Sequence, residues 1–353
     1  MTVTGPAAPH SAPDVVALGE SMVTFVPSVP GRLADVPSFE RGIGGAESNL
    51  ACVLAAGGHR ARWVSRVGAD GFGDHLVEAI GAYGVDVSGV RRDPTRPTGI
   101  YFRTAGDRAT DAHEVAYYRA GSAASAMSPA TMDLDALRAG RILHLSGITA
   151  ALSDDCLGLL RTLMETPGTP GPLLSFDVNH RPGLWAEPAA ARVLLDLARH
   201  AGLVFVGEDE AEDAFGITGG PDAVRAALPE PELLVVKCGA DGAIAYDRAG
   251  GRHFEPAPRV DVVAAVGAGD AFAAGFLSAT LRGLPAADRL RHGHLWAAAA
   301  LTVPGDLAEP PGRAHADRLA ALDAASWETL HLGPGWTVTD AFDDRAAEEV
   351  RTP

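Results

Sequence analysis

Short apolar runs alternate with stretches of helical period along most of the chain, the order expected of βαβ units and a mainly parallel sheet. The runs Val15–Leu18, Arg62–Val67, Ile142–Ser146, Leu173–Asp177, Leu203–Val206, Leu233–Lys237 and Ala243–Tyr246 predict strands. Between them Glu47–Ala56, Gly73–Tyr83, Asp154–Met164, Ala189–His200 and Ala271–Leu281 predict helices. The fold class expected is therefore α/β.

Two regions break the rhythm. Residues 22–41 and 99–119 alternate apolar and polar positions without intervening helices, as in Ile100-Tyr101-Phe102-Arg103 and Val115-Ala116-Tyr117-Tyr118-Arg119. They predict antiparallel hairpins forming a small second sheet, suited to a lid over an active site or to a dimer contact. An edge extension of the main sheet is the plainer alternative. One domain over residues 14–330 accommodates all of this. From Gly335 the sequence turns acidic and polar, and residues 335–353 are expected to form a frayed tail.

Composition narrows the partners. A formal charge of −16 argues against nucleic acid or an anionic membrane surface. Met1 to Pro13 has no basic n-region and no apolar h-region, and no segment approaches about 18 consecutive apolar residues, so a cytoplasmic location is expected. Cys52, Cys156 and Cys238 are odd in number and far apart, which suggests neither a disulfide framework nor a zinc site. Of the 29 basic residues only Lys237 is lysine, and no Gly-x4-Gly-Lys-Ser/Thr run exists. A phosphate must therefore meet arginine and backbone N–H rather than a P-loop. No Gly-x-Gly-x-x-Gly follows the first strand, which weighs against a dinucleotide-binding dehydrogenase.

The sharpest chemical signal is Gly267-Ala268-Gly269-Asp270-Ala271-Phe272, a small-residue turn that opens a helix, with Val260, Val262 and Val263 suggesting an approach strand. Free N–H groups at such an N-terminus attract an anion, and glycine lets a phosphate approach the main chain. Asp270 would repel that phosphate unless it serves as a general base toward an attacking hydroxyl while the N–H groups stabilise a transferring phosphoryl group. An ordinary N-cap is the competing reading.

Other constellations extend the site. Gly42-Ile43-Gly44-Gly45-Ala46-Glu47-Ser48-Asn49 is a glycine turn entering a helix, where the Asn49 amide and Glu47 carboxylate could grip sugar hydroxyls. Ser175 to Trp185 follows a strand, where ligands of open α/β sheets bind, and Arg181 suits a carboxylate or phosphate. Its alternative is a surface arginine held by Asp177. Arg119, ending a lid strand after Tyr117 and Tyr118, could converge on the same anion. Glu208, Asp209 and Glu210 cluster at a helix start, and Glu210 could act through water on a nucleotide-bound Mg²⁺ or simply cap the helix. Lys237-Cys238-Gly239-Ala240-Asp241-Gly242 joins two apolar runs, as a nucleotide-facing loop or a plain hairpin turn. His292 and His294 have no metal-like spacing.

Taken in this order, the pieces resemble the ribokinase-like (phosphofructokinase B-type) carbohydrate kinases over roughly residues 14–330. The Gly-Gly turn with Asn49 and the Gly267-Ala268-Gly269-Asp270 run are that family's two marker regions. Within it the likeness is greatest to 2-keto-3-deoxygluconate kinases, on Gly19-Glu20, Gly44 to Asn49, Arg96 to Phe102, Tyr117 to Ala123, Leu145 to Ile148 and Asp177 to Pro182. The resemblance implies a ribokinase-like sheet with a β lid, a sugar acid and ATP as ligands, Mg²⁺ with a monovalent cation such as K⁺ as a further candidate, and homodimers through the lid or a higher oligomer. It implies sugar contacts from Gly44, Gly45, Asn49, Tyr101, Tyr117, Arg119 and Arg181. It places ATP against Lys237, Gly239, Ala240, Gly242, Gly267 and Gly269, with Asp270 as base beside Gly267, Ala268 and Gly269. Two positions depart from the family pattern: Ala264 stands where an Asp is usual, and Gly207 where an Asn is usual. Both bear on cations and phosphate, so loss of a K⁺ requirement or a looser Mg²⁺ environment is expected.

Overall fold

A computed structural model describes residues 12–104, 114–165, 171–185 and 189–338. The chain starts with β1 (Val15–Leu18), then forms the hairpin β2 (Met22–Pro27) and β3 (Phe39–Gly44). The helix Ala46–Ala56 returns it to β4 (Ala61–Val64). Next come the short pair β5 (Arg66–Gly68) and β6 (Arg91–Asp93), and a second hairpin, β7 (Ile100–Arg103) and β8 (Val115–Tyr118). The body continues with β9 (Ile142–Ser146), β10 (Leu173–Asp177), β11 (Leu203–Gly207), β12 (Leu233–Lys237), β13 (Ala243–Asp247) and β14 (Arg252–Glu255). A small parallel pair, β15 (Arg259–Val260) and β16 (His331–Leu332), brackets the C-terminal helices Ala268–Leu281 and Ala286–Leu301.

The main sheet has the order β14-β13-β12-β11-β10-β9-β1-β4, parallel from β12 to β4 with β13 and β14 added antiparallel. Its central strands are largely apolar because both faces are covered, with buried His144 of β9 hydrogen-bonded to Ser175 of β10 at 3.0 Å. Alternate side chains enter opposite cores. Val15 and Ala17 join Leu50, Trp63, Phe205 and Phe276 on one side. Val16 and Leu18 join Leu143, Leu160, Phe176 and Val204 on the other. Among the described residues no helix is long and apolar enough to cross a membrane.

The two hairpins form a separate four-stranded sheet, β3-β2-β7-β8, rather than an edge extension of the main one. Each hairpin is antiparallel, and they join through a parallel β2–β7 pairing. Stacked and edge-on rings of Phe25, Phe39, Phe102 and Tyr118 stiffen one face. The i, i+2 residues Tyr101 and Arg103 are buried on the other. Residues 105–113 of the expected lid lie outside the described residues.

Several sequence expectations shift. The predicted strand Arg62–Val67 divides at buried Ser65, because the chain turns to pair β5 with β6, fastened by Arg66 to Asp93 at 2.7 Å. The approach strand before the glycine turn is only β15, outside the main sheet, and Val262 and Val263 are 61% and 50% exposed. The polar tail begins later than Gly335, since Trp336 is 3% exposed and packs in the core. Residues 339–353 lie outside the described residues.

Candidate active site

The parallel strands end together on one side of the sheet, the position at which open α/β sheets bind ligands. A cavity of about 770 Å³ lies there, walled by the lid on one side and by the Gly267 turn on the other. Glu20 follows β1, Asp177 ends β10 and Lys237 ends β12, so each strand delivers a charged group to the same space.

Gly267 caps the helix Ala268–Leu281 with φ +81°, a left-handed conformation that glycine adopts without strain. The first intrahelical bond runs from Ala271 N–H to the Gly267 carbonyl at 2.9 Å. The N–H groups of Ala268, Gly269 and Asp270 therefore have no helical acceptor and face outward from the first turn. Asp270 lies in the cavity wall, where Asn49 Nδ2 donates to its Oδ2 at 3.0 Å, across 221 positions of sequence. Burial pushes the Asp270 carboxyl up to about 7; the hydrogen bond from Asn49 opposes this and the charge of Asp177 adds to it. A carboxylate poised near neutrality and held by a single amide is suited to accepting a proton.

Lys237 reaches this turn from β12. Its Nζ is 3.3 Å from Asp177 Oδ2 and lies close to Gly269, where an added Cβ would be 3.8 Å from the ammonium. Burial disfavours the charged amine, but Asp177 and Glu210 more than offset this and raise its pKa. Glu210 accepts from Gly207 N–H at 2.9 Å through one oxygen and from His180 N–H through the other. Its carboxyl is raised by burial, against the pull of Lys237. Asn179, beside Asp177, is the described non-glycine residue with positive φ, at 41°, and donates its N–H to Asp177 Oδ1.

The sugar-contact candidates Gly44, Gly45, Asn49, Tyr101, Tyr117, Arg119 and Arg181 all border the cavity. Gly45 is required by close approach, since a Cβ there would lie 2.4 Å from the Glu20 carbonyl. Arg181 donates from Nη1 to the His180 carbonyl at 2.9 Å and pairs with no carboxylate among the described residues, Asp177 being taken by Lys237. Arg119, 10% exposed, is ion-paired with Glu20, which also accepts from Ser122 Oγ at 2.5 Å. The arginines thus differ: one carries its own counterion and the other does not.

Other singled-out residues lie away from this cavity. Glu47 does not face the cavity: it is fully buried and accepts from Ser146 Oγ at 2.6 Å and Thr149 Oγ1 at 2.7 Å, because its position in the helix turns it toward β9. Gly239, Ala240, Gly242 and Ala268 are outside the cavity lining, the first three forming the turn between β12 and β13. Asp306 is not singled out by the sequence, and Glu20, marked only within the Gly19-Glu20 pair, carries no expected site role. Asp306 accepts from Tyr101 OH at 3.1 Å and pairs with Arg103 at 2.5 Å, and nothing local in the sequence marks it.

Comparison with known proteins agrees with this geometry. Residues 12–311 match the pfkB family carbohydrate kinases. The chain is 35% identical over 327 residues to a 2-dehydro-3-deoxygluconokinase of Bacillus subtilis (strain 168), covering 91% of this chain and 98% of that protein. It is 34% identical over 267 residues to fructokinase-1 of Oryza sativa subsp. japonica, covering 74% and 81% respectively. A crystal structure of a PfkB protein from Polaromonas sp. JS666 superposes with a TM-score of 0.76 at 37% identity, covering 88% of this chain and all of that one. The helix-capping turn with its aspartate, the cavity at the strand ends and the lid across it accordingly belong to a carbohydrate kinase of the pfkB family.

Proposed function

We propose that the protein transfers the γ-phosphoryl group of ATP to the primary hydroxyl of a sugar acid, 2-keto-3-deoxygluconate, giving the 6-phosphate. The observation that carries the acid-sugar reading is Arg181, a cavity-lining guanidinium without a carboxylate partner among the described residues. A substrate carboxylate completes it with charge-assisted hydrogen bonds. Similarity to the 2-dehydro-3-deoxygluconokinase over most of both chains supports the same reading.

In this mechanism Asp270 accepts the proton of the hydroxyl as its oxygen attacks the γ-phosphorus, and ADP leaves. Asn49 orients the acceptor oxygen of Asp270. The N–H groups of Ala268, Gly269 and Asp270, with Lys237 above Gly269, receive the charge that spreads over the equatorial oxygens. Tyr101 and Tyr117, their ring centres 5.3 Å apart, cover the sugar from the lid.

No cluster of three acidic, histidine or cysteine side chains able to hold a metal occurs among the described residues. Both Glu210 oxygens are occupied by backbone N–H groups. Mg²⁺ would therefore enter this site with the nucleotide, with Glu210 acting on it through water, and would supply charge neutralisation there. With Ala264 and Gly207 in place of polar side chains, turnover is proposed to be independent of K⁺. The open edge of β8, with Tyr117 and Tyr118 at 47% and 65% exposed, supports a lid-to-lid homodimer, which light scattering tests.

A second reading, a kinase for a neutral sugar such as fructose, draws on Arg119 being neutralised by Glu20 and on the fructokinase similarity. A coupled ADP-release assay on 2-keto-3-deoxygluconate, fructose and ribose separates the two. Preferred turnover of a neutral sugar would overturn the acid-sugar proposal.

A further inference from the structure

Arg103 is not among the residues lining the cavity, yet it lies at a junction between three parts of the molecule. It shares the body-facing side of β7 with Tyr101, and its side chain is 10% exposed. Both residues converge on Asp306, in the loop after the helix Ala286–Leu301: Arg103 Nη2 lies 2.5 Å from Oδ1, and Tyr101 OH donates to Oδ2 at 3.1 Å. The Asp306 side chain is 6% exposed, so the ion pair is closed off from bulk water.

The main chain of Asp306 is in turn seated on the catalytic turn. A Cβ on Gly267 would lie 2.1 Å from the Asp306 carbonyl oxygen, so the two backbones touch where a side chain would separate them. A Cβ on Gly44 would lie 2.3 Å from Tyr101 OH and 3.1 Å from Asp306 Oδ2. The lid strand, the sugar-side glycine turn and the cap of the catalytic helix thus meet around one residue, the first two at the Asp306 carboxylate and the third at its main chain.

We propose that Arg103 is a positioning residue for phosphoryl transfer: carried on the lid, it fixes Asp306 and through it the main chain against which the Gly267 turn rests. The position of the lid is thereby felt at the N–H groups that hold the phosphoryl group. This rests on the kinase reading of the site. A displacement of about 1 Å in such a group lowers turnover by about a hundredfold, which sets the scale of the effect.

The test uses Arg103→Met and Arg103→Gln in the full chain, assayed with whichever of the three sugars the wild type turns over best. Failure of the acid-sugar reading then shows in the wild type's choice of sugar and leaves this test intact. The expected result is a kcat about tenfold to a hundredfold lower, not restored by saturating sugar, with the KM for ATP changed by less than about twofold. The Gln variant serves where Met does not fold, with the same expectation. Adding Asp306→Asn should lower kcat little further, because the two side chains act as one unit. A folded variant with wild-type kcat, a change confined to the sugar KM, or losses that multiply in the double variant would overturn the proposal.

Discussion

Replacing Asp270 with Asn should slow the enzyme and at the same time stabilise it above neutral pH. The substitution keeps the shape of the side chain and an oxygen for Asn49 to donate to, and removes the charge. The carboxyl is raised from an ordinary 3.8 to about 7, first by burial. That rise of about 3 units, at 1.36 kcal/mol each, means ionising Asp270 costs the folded state at most about 4 kcal/mol. Because the folded state holds the proton more tightly than the unfolded chain, this group favours folding below about pH 4. The advantage is lost as pH rises through about 7. At pH 8 the wild type bears nearly the whole cost, and at pH 5 less than about 2 kcal/mol of it. Asp270→Asn bears none, so its stability relative to wild type should grow by about 2 kcal/mol between pH 5 and pH 8, after discounting for water in the cavity.

Equilibrium denaturation at the two pH values measures that difference, and ADP release measures turnover. Turnover should fall by about 10²–10⁴-fold, the range for loss of a general base. In the wild type, kcat/KM should rise with pH through about 7 as the base loses its proton. Near-normal turnover in the variant would refute the catalytic role. A stability difference that does not change with pH would refute the perturbed carboxyl.

The other perturbations probe the surroundings of the base. Arg181→Ala should lower kcat/KM for the sugar acid by about 30-fold, corresponding to about 2 kcal/mol for an unpaired carboxylate, and leave a neutral sugar within about twofold. Lys237→Met strips Asp177, itself 3% exposed, of its cation; it should cost about 3 kcal/mol in urea denaturation and reduce turnover by about a hundredfold. Gly267→Ala combines a φ of +81° with a Cβ 2.1 Å from the Asp306 carbonyl, and should lower both kcat and the thermal midpoint, with a stability loss of about 2 kcal/mol or more.

The sequence made the body legible because local signals agreed there. The buried strands are apolar runs, and the Gly267 turn carries its chemistry in consecutive residues. What stayed hidden depends on distance in the chain. Asn49 and Asp270 were each singled out, but the hydrogen bond between them spans 221 positions, so the amide was expected on the sugar rather than on the base. Glu47 was placed on the ligand because it follows the Gly-Gly turn; helix phase instead directs it to Ser146 and Thr149 on the far side. Glu20 is marked only by the Gly19-Glu20 pair, with no site role attached, and Asp306 carries no motif; each is paired in the structure with an arginine brought in by the lid.

These pairings explain how a chain of net charge −16 can accept anions. Around the cavity Glu20 is matched by Arg119, Asp177 by Lys237 and Asp306 by Arg103. Glu210 and Asp270 are the remaining acids of the lining, and burial favours the protonated form of both. Arg181 is then the cation without an internal carboxylate among the described residues, supplemented by the N–H groups of the helix cap. Under the proposed function, attraction for substrate is concentrated at two points rather than spread over the surface: the Arg181 guanidinium for one end of the sugar, and the helix N-terminus for the phosphoryl group at the other. Bound anions nearby would also oppose ionisation of Asp270, whereas Lys237 and Arg181 favour it. If Asp270 is the base proposed, its pKa in the loaded enzyme therefore depends on how well those two cations stay placed beside it.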